Sequence, residues 1–245
     1  CAFGSLASAA DPVRIGTEGA YPPFNFIDKS GELQGFDIDI ANALCEAADL
    51  DCEFVIQDWD GMIPGLLAKK YDAIIASMSI TEERQKKVDF TKKDYQTPAR
   101  FVNNETADIE IYTQGLEGKS VGVQRATVSA NFINDRFGDT VHVKAYATQE
   151  EANMDLVSGR VDLVFADSVV LLKGFLDTPD GKDYEFVGPG YTDKKWFGEG
   201  IGIAVRKEDD ALRKQLNAAI ATIRENGTYE EINDKYFDFD VYGDE

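Results

Sequence analysis

The sequence predicts an α/β protein made of two doubly wound lobes, each an open sheet covered by helices on both faces. Strand-like apolar runs alternate with helical patterns along most of the chain. That alternation builds mostly parallel sheets with helices packed against them. It also breaks off near residue 100 and restarts near residue 120. The chain, at 245 residues, is long enough for two small domains.

Residues 13–16 read as a first strand. Phe36, Ile40 and Leu44 then recur at helical spacing. Residues 52–56 read as a second strand, 61–70 as a helix and 73–76 as a third strand. Residues 99–118 are more polar and irregular and suit a crossing into the other lobe. The second series starts with a strand at 120–123. A helix at 127–137 stops at Gly138, a strand spans 141–146, a helix 150–158 and a strand 161–166. Near the end, Leu212, Leu216, Ala219, Ile220 and Ile223 form an apolar helical stripe, with Gly227 as its stop. Residues 228–237 add a short aromatic-bearing segment.

The two series share a local pattern. LAKKYDAIIAS at 67–77 resembles VSGRVDLVFAD at 157–167. In each, a basic residue is followed by Asp72 or Asp162, then by a buried strand, then by a polar residue. Ser77 and Asp167 therefore fall at matching strand ends. Ligands of open α/β sheets bind outside the carboxyl ends of the strands. Two such sheets facing each other put Ser77 and Asp167 across one cleft, unless the match only reflects the similarity of any two βα units.

Composition narrows the function. With 25 basic and 45 acidic residues the formal charge is −20, which repels phosphate backbones and speaks against nucleic-acid binding. No run approaches the roughly 18 apolar residues of a membrane span. The opening CAFGSLASAA is small and apolar, with an A-x-A pattern at 7–9. It reads as the remnant of a secretion signal, or as a lipoprotein start with Cys1 carrying the lipid, or as a plain tail. The first two place the chain outside the cytoplasm. Cys45 and Cys52, with six residues between them, read as a disulfide of an exported protein; two buried thiols are the alternative. Neither has the neighbours of a zinc site.

Catalytic chemistry is poorly represented. His142 is the sole histidine, and no triad partner is evident. No phosphate-binding G-x-x-x-x-G-K-[ST] occurs. The glycine-rich stretch 198–202 precedes a strand, not a helix, and reads as a backbone crossing or hinge. No cofactor is implied.

Several motifs appear in order: IGTEGAYPPF at 15–24, GFDID at 35–39, WDGMIP at 59–64, DAIIASMSITEER at 72–84, DFT at 89–91 and KYFDFDVYG at 235–243. Together they resemble the polar amino-acid family of bacterial solute-binding proteins, the lysine/arginine/ornithine- and histidine-binding members in particular. Opine-binding members are also similar around Thr17-Glu18-Gly19 and Trp59-Asp60-Gly61. The resemblance spans nearly all of residues 11–245. It implies a periplasmic binding protein-like fold of type II that closes on its ligand about a two-strand hinge. Lobe one would be residues 11–96 plus 197–245, lobe two 100–193, and the hinge crossings 97–99 and 194–196. It implies capture of an amino acid, a basic one above all, for an ABC transporter permease, by a monomer in the periplasm.

The resemblance also implies roles. Arg84 would grip the α-carboxylate, since its fork binds bidentately where Lys cannot. Ala76, Ser77 and Ser79 would line the same end, with Ser77 and Ser79 adding hydrogen bonds. Asp167 would take the α-ammonium, and Thr127 would donate to the carboxylate; helix capping is the other role open to both. Tyr21 and Trp59 would sandwich the side chain. Glu18 stands where basic-amino-acid binders carry Asp and would meet a distal cation; Asp37 would add a second negative charge from the helix start, or serve the helix N-terminus instead. Gln124 and Ser129 complete the set. Gln124 to Ser129 departs from a stretch usually richer in Gly and Gln, and Arg125 adds a cation that a cationic ligand disfavours. Opines and neutral polar amino acids therefore stay open as ligands. A sensory ligand-binding module and a cyclohexadienyl dehydratase-like enzyme are the competing functions.

Overall fold

The computed structural model describes residues 11–243. The expected signal remnant at 1–10, and with it the lipid anchor at Cys1, lies outside them. The chain opens with β1 (Val13–Thr17) and a small antiparallel meander of β2 (Ala20–Tyr21), β3 (Asn25–Ile27) and β4 (Leu33–Gln34). There follow α1 (Phe36–Ala47), β5 (Cys52–Ile56), α2 (Met62–Leu67), β6 (Ala73–Ile74), α3 (Glu82–Gln85) and β7 (Asp89–Phe90). The second series is β8 (Ala99–Asn104), β9 (Ser120–Gln124), α4 (Val128–Phe137), β10 (His142–Tyr146), α5 (Gln149–Val157), β11 (Leu163–Asp167), α6 (Ser168–Leu171), β12 (Tyr184–Tyr191) and α7 (Lys194–Phe197). The chain then returns through β13 (Ala204–Val205) to α8 (Asp210–Glu225) and α9 (Thr228–Tyr236).

Two sheets result, ordered β5-β1-β6-β13-β7 and β10-β9-β11-β8-β12. Each has the same plan. Three parallel strands lie on one side, and an antiparallel strand follows them. In the first sheet that strand is β13, which arrives after the second series; in the second it is β8, which opens that series. The sheets are thus mixed, not mostly parallel. The polar stretch at 99–118 is also only partly irregular, because β8 sits inside the second sheet with Ala99, Phe101 and Val102 buried. Arg100 hid it: its guanidinium lies over the Phe186 ring and donates to the Gly188 carbonyl, so a charged residue is accommodated in a packed strand.

Helices cover both faces of each sheet. In the first lobe, Ile40, Leu44, Leu216 and Ile223 of α1 and α8 pack on one face with Phe24 and Phe237, and Met62 and Leu66 of α2 pack on the other with Tyr71. In the second, Phe132 and Ile133 of α4 pack on one face, and Ala152 and Leu156 of α5 on the other. Apolar burial of this kind is the dominant stabilising term. The disulfide Cys45–Cys52 joins α1 to β5.

The internal pattern has a structural reason. Asp72, just before β6, accepts from the Arg14 backbone N–H at the start of β1 at 3.1 Å. Asp162, just before β11, accepts from the Ser120 backbone N–H at the start of β9 at 2.7 Å. Each Asp pins the neighbouring parallel strand in register; Ser77 then follows the far end of β6, and Asp167 is the last residue of β11. The start of α1 is similarly built from sequence. Phe36 and Asp37 donate their backbone N–H groups to the Pro23 and Phe24 carbonyls at 3.0 and 2.8 Å. Gly35 permits this approach, because a Cβ there would lie 2.2 Å from the Phe24 oxygen at a φ of +128°. Within residues 198–202, Ile201 bridges both Ser79 and Tyr95, which joins the return segment to the first lobe.

Candidate ligand site

The carboxyl ends of β1, β6, β9 and β11 converge on one cavity. Eleven of the residues named from the sequence line it: Glu18, Tyr21, Trp59, Ala76, Ser77, Ser79 and Arg84 from the first lobe, and Gln124, Thr127, Ser129 and Asp167 from the second. Tyr95, Thr97, Phe24, Val128 and Phe197 also line it and were not singled out. Phe24 and Val128 lie beside residues named from the sequence, whereas Tyr95, Thr97 and Phe197 come from stretches that no spacing marks.

Arg84 stands at one end. Its backbone N–H is held by the Thr81 hydroxyl at 3.3 Å, the N-cap of α3. Its Nη1 donates to the Ser79 carbonyl at 3.0 Å, and the guanidinium lies 5.3 Å from the centre of the Trp59 ring. Among the described residues no carboxylate pairs with it. Surrounding protein strips its water and pulls its pKa down to about 10.

Asp167 lines the same cavity from the second lobe. Its Oδ1 accepts from the Val169 and Val170 N–H groups at 2.8 and 3.2 Å, and its Oδ2 bonds the Thr97 hydroxyl. Capping α6 and facing the cavity are therefore one arrangement, not alternatives. No cation pairs with it among the described residues, and burial raises its pKa to about 6 against the pull of the Thr97 hydrogen bond. Thr127 is likewise both N-cap and lining. Its hydroxyl accepts from Ala130 N–H at 3.1 Å and donates to the Gln124 carbonyl at 2.7 Å, so its proton is engaged within the protein.

The distal end is acidic. Glu18, 7% exposed, accepts from Gln124 Nε2 at 2.5 Å. Burial raises its pKa to about 7, with Asp58 and Asp60 adding to the rise. Gln124 Nε2 also donates to the Ala147 carbonyl at 3.1 Å. With both neighbours of that nitrogen being acceptors, the amide orientation is determined, and the pair presents acceptor oxygens. Tyr21 and Trp59 supply aromatic walls.

Two expectations need correcting. Asp37 is not part of the lining. It lies behind it, 1% exposed, accepting from Asn25 Nδ2 and Ser77 Oγ at 2.9 and 3.0 Å, with the Tyr95 hydroxyl 3.0 Å away. It holds Ser77, whose backbone has a φ of +52°, and does not reach the side-chain end of the cavity. Arg125 is not a loose cation either: its Nε meets Asp60 Oδ2 at 2.6 Å.

Two lobes with a cavity between them, lined by a guanidinium unpaired among the described residues and by two carboxylates, have the make-up of a ligand-binding protein. Among the described residues there is no group of acidic, His and Cys side chains that would hold a metal ion, and no helix long and apolar enough to cross a membrane. The chain belongs to the bacterial extracellular solute-binding proteins, family 3, whose model it matches over residues 13–239. It is 54% identical to the L-arginine-binding protein of Pseudomonas aeruginosa over 237 residues, which are 96% of this chain and 92% of that one. It is 44% identical to the histidine-binding periplasmic protein of Escherichia coli over 243 residues, 99% of this chain and 94% of the relative. Its fold superposes on a Salmonella typhimurium periplasmic binding protein of high arginine specificity with a TM-score of 0.86 at 33% identity, covering 93% of this chain and 100% of that one. Both curated relatives are named as binding proteins, in line with a non-enzymatic role.

Proposed function

We infer that the protein captures a basic amino acid, arginine first, outside the cytoplasm and delivers it to an ABC transporter permease. The observation that carries this is a set of shielded charges that have no ionic partner among the described residues, Arg84, Asp167 and Glu18, all lining one cavity. A charge held away from water is costly unless paired. A zwitterion with a long cationic side chain pairs all three. Its carboxylate meets the Arg84 fork, its ammonium meets Asp167, and its distal cation lies between Tyr21 and Trp59 against Glu18. The names of the relatives support the same class of ligand.

In this reading residues 11–96 and 197–245 form one lobe, 100–193 the other, and the chain pivots at 97–99 and 194–196. The ligand bridges the lobes and favours the closed state through contacts it makes only there. The protein works as a periplasmic monomer. A calorimetric panel of the twenty amino acids with ornithine, citrulline and opines tests it. The reading predicts heat with arginine, lysine, ornithine or histidine, and tightest binding within that group. Tightest binding of a neutral or acidic amino acid overturns the basic-ligand reading, and tightest binding of an opine reassigns the protein to the opine-binding branch.

A further inference from the structure

Direct hydrogen bonds cross the cleft, and one of them, between Arg125 and Asp60, involves no group placed against the ligand. Gln124 reaches Glu18 inside the cavity. At the rim, Arg125 Nε meets Asp60 Oδ2 at 2.6 Å, and the Trp59 indole N–H donates to the Ala126 carbonyl at 3.0 Å. Asp60 and Arg125 are about half exposed and do not line the cavity. The rim contacts come from one short segment on each side: 59–60 in the turn after β5, and 125–126 in the turn between β9 and α4. Ala126 holds a φ of +59°, a left-handed conformation that a residue with a Cβ adopts only at a cost. This local bend lies between the ion pair's Arg125 and the carbonyl that receives the Trp59 N–H.

We propose that Asp60 and Arg125, with the Trp59–Ala126 hydrogen bond beside them, form a latch that sets how long the lobes stay closed, whichever amino acid is inside. It rests on the binding-protein reading and adds a determinant of affinity outside the ligand's contacts. The two charges sit on opposite lobes and meet only when the cleft is shut. Their attraction therefore favours the closed state alone and shifts its population. The pair also accounts for Arg125 beside a cavity meant for a cation: Asp60 offsets its charge locally.

Partly exposed pairs are modest, so the effect is modest. Arg125→Ala should speed ligand release about threefold to fivefold with little change in the association rate, in line with exposed ion pairs of up to about 1 kcal/mol. Arg125→Glu places two like charges together and should speed it more. The exchange Asp60→Arg with Arg125→Asp should restore slow release. The Arg125→Ala factor should be the same for arginine and for lysine, and should shrink in about 1 M salt, where screening acts within about 3 Å.

The test is stopped-flow release of arginine and of lysine from the wild type and these variants, with small-angle scattering of the ligand-free proteins alongside. Equal acceleration for both ligands, rescue by the exchanged pair and a larger radius of gyration for Arg125→Glu than for the wild type support the latch. Unchanged release, or acceleration that differs between ligands, overturns it, because a group touching the ligand discriminates and a latch does not. Failure of the wild type to bind either amino acid rejects the proposed function instead. The scattering comparison then decides the latch by itself, since it needs no ligand: equal radii overturn it.

Discussion

Glu18→Gln separates the two things this side chain does. In the ligand-free protein it is a carboxylate held in a dry place. The rise of its pKa from 4.5 to about 7, chiefly from burial, corresponds to roughly 3 kcal/mol of destabilisation at pH 8, at about 1.4 kcal/mol per tenfold change in the proton equilibrium. Glutamine removes that cost, and its own oxygen can still accept from Gln124 Nε2. The variant should therefore melt above the wild type at pH 8, by up to roughly 3 kcal/mol. In the complex the carboxylate faces the ligand's cation, and a hydrogen bond between charged groups is worth about 1.5–3 kcal/mol. Arginine should thus bind about ten- to hundredfold more weakly. Glutamine, with a neutral end, should lose almost nothing. Paired calorimetry with arginine and glutamine, plus thermal melts at pH 8, reads both effects. A loss of arginine affinity under about threefold, or an equal loss for glutamine, refutes the placement of a cation against Glu18. A variant that is less stable than the wild type refutes the account of Glu18 as an uncompensated buried charge.

Arg84→Ala and Asp167→Ala should each weaken arginine binding at least about a hundredfold with the circular dichroism unchanged, since either leaves a ligand charge desolvated and unpaired; normal binding by both places the site elsewhere. Affinity for arginine should fall as pH drops from 8 to 5, because Glu18 takes up a proton near 7 and Asp167 near 6. For these groups and Asp37 the folded pKa lies above the ordinary value, so between about pH 4 and 7 the folded state binds more protons than the unfolded one. Their contribution to ligand-free stability is therefore favourable at low pH and lost as pH rises through 6 and 7. Opposite slopes for affinity and ligand-free stability in that window are the expected result of calorimetry and melts; parallel slopes contradict it. Replacing Cys45 and Cys52 by Ser should cost about 2–3 kcal/mol from the short loop they close, with arginine affinity kept; a melting point identical to the wild type refutes the loop argument.

Much of this arrangement is legible in the sequence because it is local. Cys52–Ile56 reads as a strand with the bounds the structure shows, its β-branched and aromatic residues Phe54, Val55 and Ile56 favouring strand over helix. The matched segments 67–77 and 157–167 place Ser77 and Asp167 at equivalent strand ends, and the structure explains the match through Asp72 and Asp162. What escaped is what depends on distance in sequence. β8 was hidden by Arg100, whose charge is accommodated only because Phe186 packs under it. Tyr95 and Thr97 reach the cavity from a stretch with no periodicity of its own. Asp37 was legible as a negative charge near the site, but only its three hydrogen-bonding neighbours show that it serves Ser77. Arg125 looked out of place until Asp60, from the other lobe, came within reach.

Arginine, agmatine and citrulline differ at the two ends of one molecule, and their affinities compared by calorimetry at pH 8 test the central assignment directly. Agmatine lacks the carboxylate that Arg84 would hold; citrulline keeps both α groups but carries a neutral end toward Glu18. The account predicts that arginine binds at least about a hundredfold more tightly than agmatine and about tenfold or more tightly than citrulline. Agmatine binding as well as arginine contradicts the role of Arg84, and citrulline binding as well as arginine contradicts the role of Glu18.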